Sequence, residues 1–114
     1  GAGPIADGRI LLFGGNNAGE AIEETYLYDP INGDPQDGAV MSTMRAQGAY
    51  ATDPNTGLIY AIGGVDDNLA VLGSTEAYDP SSDMWTSLAS IPSPRADFAA
   101  ASDGAGAIFT FGGR

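Results

Sequence analysis

The chain has 114 residues, a length for one small domain. Fifteen acidic residues oppose four arginines, with no lysine, histidine or cysteine, so Ser-His-Asp and Cys-His catalysis, Cys/His zinc sites, haem ligation and disulfides are excluded. The net charge of −11 argues against nucleic acid or an anionic membrane as partner, and the longest apolar run, Leu58 to Ile62, is far short of the roughly 20 residues of a membrane span.

Glycine stands at 17 residues and proline at 7, which suits many turns and short strands. The first residues show neither the basic nor the long apolar stretch of a secretory signal. A partial strand is expected near Ala2–Ala6, then a full one over Arg9–Phe13, closed by Gly14-Gly15. Short apolar runs bounded by turn glycines read as buried strands. The polar stretch Asn16-Asn17-Ala18-Gly19-Glu20 follows as a loop, and Glu24–Tyr28 as the next strand. Tyr28-Asp29-Pro30 opens a turn: an Asp carboxylate accepts from nearby backbone N–H groups and proline fixes φ. A weaker strand is expected near Gly38–Ser42, then Arg45 and a small-residue strand over Ala46–Thr52.

The series then restarts. Leu58–Ile62 runs into Gly63-Gly64, the loop Val65-Asp66-Asp67-Asn68 follows, and Thr75–Tyr78 leads into Tyr78-Asp79-Pro80. Met84–Leu88 carries Trp85, and Arg95 precedes Ala96–Ser102. Ala107–Phe111 ends in a third pair, Gly112-Gly113. About ten short strands and no helix longer than a turn are expected.

The period is explicit. Gly14, Gly63 and Gly112 recur every 49 residues, while Tyr28 and Tyr78, like Arg45 and Arg95, are 50 apart. One period therefore holds four strands, the size of one propeller blade. The phased double glycines, Tyr78 and Trp85 separated by six residues, and Pro94-Arg95 together resemble the Kelch repeat over essentially the whole chain. Two departures are visible: Pro35 stands where the first unit would carry tryptophan, and Met44 precedes the first arginine in place of proline.

The resemblance implies an all-β Kelch-type β-propeller segment of four-stranded antiparallel blades. The chain reads as one Kelch-repeat region, with residues 1–15 as a partial blade, 16–64 as repeat one and 65–114 as repeat two. Gly14, Gly15, Gly63, Gly64, Gly112, Gly113, Tyr28, Tyr78 and Trp85 are read as structural. The glycines admit close approach of a neighbouring backbone or ring. The aromatics fill space between sheets.

In an up-and-down blade, the loop entering the first strand and the loop leaving the second share one end. That end carries Arg45, Arg95, Asn16, Asn17, Asp66, Asp67 and Asn68, the ligand-binding candidates, and many Kelch domains bind peptides there. Two arginines among polar loops suit a carboxylate held by forked hydrogen bonds. The alternative, favoured here, is that an arginine repeated in each unit braces the blade. Asp29, Asn32, Asp34 and Asp37 bring oxygen ligands close enough for calcium, but without EF-hand spacing they read better as a solvated turn.

The expected function is a non-catalytic binding or scaffold module for a protein or glycan ligand, with no cofactor and no membrane insertion. A self-assembling structural subunit, in an extracellular assembly or filament, and a fragment of a propeller enzyme are the alternatives. Two and a half blades do not close a ring, which favours further blades from a longer chain over copies of this one. The absence of lysine and cysteine and the excess of aspartate over glutamate point to an extracellular or cell-surface setting, with the cytoplasm as the alternative.

Overall fold

The computed structural model describes residues 1–33 and 35–113. Among them there are twelve strands and no helix. The first sheet contains β1 (Ala2–Pro4), β2 (Ile10–Phe13), β5 (Thr25–Tyr28) and β6 (Gln36–Asp37), in the order β1-β2-β5-β6. A small hairpin, β3 (Asn16–Asn17) with β4 (Glu20–Ala21), projects from it. The second sheet holds β7 (Ala49–Thr52), β8 (Ile59–Val65), β9 (Val71–Asp79) and β10 (Met84–Leu88), each paired with the next. A final pair, β11 (Ala99–Ser102) and β12 (Ile108–Phe111), stands as a two-stranded sheet. All pairings are antiparallel. The chain is thus two four-stranded blades and half of a third, an all-β Kelch-type arrangement. The sheets are phased differently from the sequence periods, since residues 1–15 supply the first two strands of a complete sheet.

The repeat extends to individual hydrogen bonds. Gly15 N–H donates to Arg45 O at 2.8 Å, and Gly64 N–H to Arg95 O at 2.9 Å. Arg45 N–H reaches Ile22 O and Arg95 N–H reaches Leu72 O. Met41 N–H reaches Glu23 O, and Ile91 N–H reaches Gly73 O. These bonds tie each interblade linker to the blade before it.

The blades pack through alternate residues. Leu11 and Phe13 project from the first sheet, and Ile59 and Ala61 from the second. Ile5, Met41 and Tyr78 complete a buried cluster, with Leu27 and Trp85 against it. Strand alternation places residues i and i+2 on one face, so each double-glycine strand offers one face to each neighbouring blade.

Several strand boundaries differ from expectation. No strand covers Gly38–Ser42; pairing occurs earlier, at Gln36–Asp37. Groups across the blade junction claim the backbone there: Asp83 accepts from Ala39 N–H, and the Trp85 indole N–H donates to Ala39 O. The inner strands begin at Ala49 and Ala99, three residues late. Gln47 and Asp97 take φ of 57° and 53°, a left-handed conformation that interrupts the extended chain. The second double glycine lies inside β8, not at its end: the register with β9 shifts between Ile62 and Gly64, a bulge-like irregularity.

Trp85 is half-buried, not largely buried, because it sits on the outermost strand with one edge to solvent. Its ring still packs on Phe13 and Tyr78, with centroids 5.5 and 5.2 Å away. Tyr28, expected between sheets, is also only half-buried, whereas Tyr78 is fully buried.

Candidate functional site

The loop end of the two complete blades is organised around Arg45. This side chain is 3% exposed. Its Nη1 donates to Gly63 O (2.8 Å) and Ser74 O (3.1 Å), and its Nη2 to Ser74 Oγ (3.2 Å) and Glu76 Oε2 (2.9 Å). Glu76 is 2% exposed, and its other oxygen accepts from both Ser42 N–H and Ser42 Oγ–H at 2.8 Å. A guanidinium on the interblade linker thus joins the second and third strands of its blade. Buried charges of this kind are retained only when paired and hydrogen-bonded. Arg45 is therefore a brace, and its burial removes it from the ligand-contacting set. Glu76 is the partner that sequence reading missed. Its one signal was an acidic residue inside a strand otherwise built of small and aromatic residues.

Arg95 repeats half of this arrangement. Its Nη1 donates to Gly112 O at 3.0 Å, as Arg45 does to Gly63 O. Among the described residues no carboxylate pairs with it, and it is half-buried.

Above the brace, two turns from adjacent blades converge. Asn16, Gly19 and Ala21 from the β3–β4 hairpin face Val65, Asp66 and Leu69 across Ala46 and Gln47, enclosing a cleft of about 120 Å³. Asn16 Oδ1 accepts from Gly19 N–H at 2.9 Å. Asp66 Oδ1 accepts from Asn68 N–H and Ala70 N–H, at 2.8 and 3.0 Å, which fixes the second turn. These are side-chain turn bonds of the kind Asn and Asp form readily. Beneath lies a small-residue cluster of Ala21, Ala46, Val65 and Ala96. Of the expected ligand residues, Asn16 and Asp66 line the cleft. Asn17, Asp67 and Asn68 are on its exposed flanks. Leu69, not anticipated, is 76% exposed at φ 62° beside them. An apolar residue in an otherwise polar turn was the available clue.

The weak calcium candidates Asp29 and Asn32 bond within their own turn. Asp29 Oδ1 accepts from Ile31 N–H, and its Oδ2 accepts from Asn32 Nδ2 at 2.7 Å. Arg9 lines the surrounding hollow with Asp29, Asn32 and Gln36, and its guanidinium pairs with Asp7 at 2.8 Å. Asp37 pairs with Tyr26 in the sheet, and Asp34 lies outside the described residues. Among the described residues no group of three or more acidic side chains converges.

Two groups titrate away from their ordinary ranges. Burial, followed by a 2.7 Å hydrogen bond to Asp83, pushes the Tyr78 phenol well above its ordinary range. The Ser81 hydroxyl and N–H hold Asp79 below the usual carboxylate range.

Comparison with known proteins places the repeat. Residues 55–92 match the Kelch motif. An F-box/kelch-repeat protein of Arabidopsis thaliana is 33% identical over 97 residues, covering 79% of this chain and 19% of that protein. Beta-scruin of Limulus polyphemus is 44% identical over 55 residues, covering 48% of this chain and 6% of its own length. A Kelch repeat-containing protein of Caenorhabditis elegans is 26% identical over 99 residues, covering 82% of this chain and 16% of its own. The chain spans about a fifth or less of the length of these relatives.

Proposed function

Taking the chain as a Kelch-repeat propeller segment, we propose that it is a non-catalytic binding module that recognises a protein segment through the loop face between its complete blades. The observation that carries this is the convergence of the 16–20 and 65–69 turns on one cleft, held by a buried arginine brace. Preorganised loops lose little entropy on binding. The exposed Leu69 side chain offers apolar contact. Glu20, Asp66 and Asp67 in the same two turns add negative charge. This chemistry suits an apolar side chain flanked by basic residues, with electrostatics contributing mainly specificity and association rate.

The test is a chemical-shift titration of the labelled chain with a short leucine- and arginine-containing peptide, alongside its glutamate-substituted counterpart. Shifts are expected at Asn16–Gly19 and Asp66–Leu69 with the basic peptide only, fading as salt is raised. Leu69→Asn tolerates the left-handed backbone there. That variant and Asp67→Lys should each weaken binding severalfold with an unchanged melting temperature. Shifts confined to other surfaces, or binding indifferent to both variants, would overturn the reading.

A further inference from the structure

The cleft between the 16–20 and 65–69 turns has a fixed floor and a defined size. Ala21, Ala46 and Val65 form the floor, and all three are buried. Ala46 and Val65 exchange both of their backbone hydrogen bonds: Ala46 N–H donates to Val65 O at 2.9 Å, and Val65 N–H to Ala46 O at 2.8 Å. Gly64 backs this pair so closely that a Cβ there would overlap Ala46 O. Packing of this density yields little, so the floor does not sink to admit a larger group.

The polar groups stand at the rim. Asn16 Oδ1 and Asp66 Oδ1 accept from backbone N–H groups of their own turns. The floor offers methyl groups, and a polar side chain seated on them would lose its hydrogen bonds to water without replacement. The volume is about 120 Å³. An apolar cavity of roughly 150 Å³ takes a benzene ring. The six carbons of a phenyl ring are therefore too many for this cleft, whereas the three or four of a valine or leucine side chain fit.

We propose, resting on the reading that this cleft binds a protein segment, that its occupant is a single aliphatic side chain no larger than leucine. Val65 and Ala46 are the residues that determine this specificity. Val65 is the bulkiest side chain of the floor, and its two terminal methyl groups turn an aromatic ring away. Ala46 leaves the room that an aliphatic chain fills. Discrimination of this kind works by clash against the larger ligand and by lost contact with the smaller one. In an apolar pocket, one methylene more or less changes affinity by roughly tenfold or more.

The test uses four fluorescent peptides on one arginine-containing scaffold, differing only in a central alanine, valine, leucine or phenylalanine. They are titrated into the 114-residue chain and followed by anisotropy. The valine and leucine peptides should bind tightest, with the alanine and phenylalanine peptides each at least tenfold weaker. Val65→Ala enlarges the floor and should raise affinity for the phenylalanine peptide above that for leucine. A gain of binding cannot come from a loss of stability, so this result reads specificity even if the variant melts earlier. Ala46→Val should abolish leucine binding and leave the alanine peptide the best of the four. A preference of the unaltered chain for phenylalanine would overturn the proposal while peptide recognition stands, and so would an order that Val65→Ala leaves unchanged. Failure of all four peptides to bind would overturn the recognition reading and this proposal with it.

Discussion

Replacing Arg45 by alanine would remove the four donations that reach Gly63 O, Ser74 O, Ser74 Oγ and Glu76 Oε2. The Glu76 carboxylate would keep Ser42 on one oxygen but lose the partner of the other, at 2% exposure. Breaking a buried ion pair from one side costs about 3–5 kcal/mol, because a charge is left without compensation. Small domains have only about 5–15 kcal/mol in total. At roughly 4 °C per kcal/mol for a chain of this size, the melting midpoint should fall by roughly 12–20 °C. Urea unfolding followed by Trp85 fluorescence measures it directly, since this is the only tryptophan and it lies at the blade junction. The double change Arg45→Met with Glu76→Leu should recover most of the loss, because well-packed apolar residues often replace a buried pair without penalty. A loss below about 1 kcal/mol for Arg45→Ala, in the range of exposed pairs, would refute the brace.

Trp85→Ala should cost about 3 kcal/mol, the low end for a core aromatic, because one edge of the ring is already wet; denaturant unfolding read by circular dichroism gives the value, and a change under about 1 kcal/mol would contradict the packing on Phe13 and Tyr78. Gly63→Ala should lose about 2–4 kcal/mol, since φ is 59° and a Cβ there would lie 2.6 Å from Arg95 O; calorimetry showing no loss would be incompatible with this approach of linker to strand. Tyr78 is held neutral in the fold, so its contribution is complete below the ordinary phenol pKa of about 10 and is lost as pH rises beyond it. Its tyrosinate absorbance should therefore appear only with alkaline unfolding, and full ionisation of all five tyrosines in the folded chain would disprove that.

The fold was legible because its punctuation is covalent in origin. Double glycines, Tyr-Asp-Pro turns and phased arginines report backbone demands that few other residues meet, so the blade count and strand order followed from spacing. What escaped depended on contacts between repeats. The backbone at Gly38–Ser42 looked like a strand until Asp83 and Trp85 of the next blade claimed Ala39 from both sides. Arg45 was read as either a ligand contact or a brace, but its partner Glu76 was not anticipated, because it replaces Tyr26 of the first unit and so carries no period. Asn16 and Asp66 were read from the sequence as sharing one end of the blades. The cleft they form, and Leu69 beside it, needed the three-dimensional meeting of two turns some 50 residues apart.

Strand β8 is buried along nearly its whole length and has sheet partners on both sides and a blade against each face. Its contacts come mainly from β9 and β7, its neighbours in sequence. The β8–β9 hairpin can close first, and flanking strands can then add by short loop closures, in the manner of a one-dimensional repeat array. The same geometry sets an order of opening. Amides of β8 should exchange with solvent only when the whole chain unfolds, whereas those of β12 escape through local fraying. Resistance to opening is thus graded along the chain, greatest in β8 at its middle.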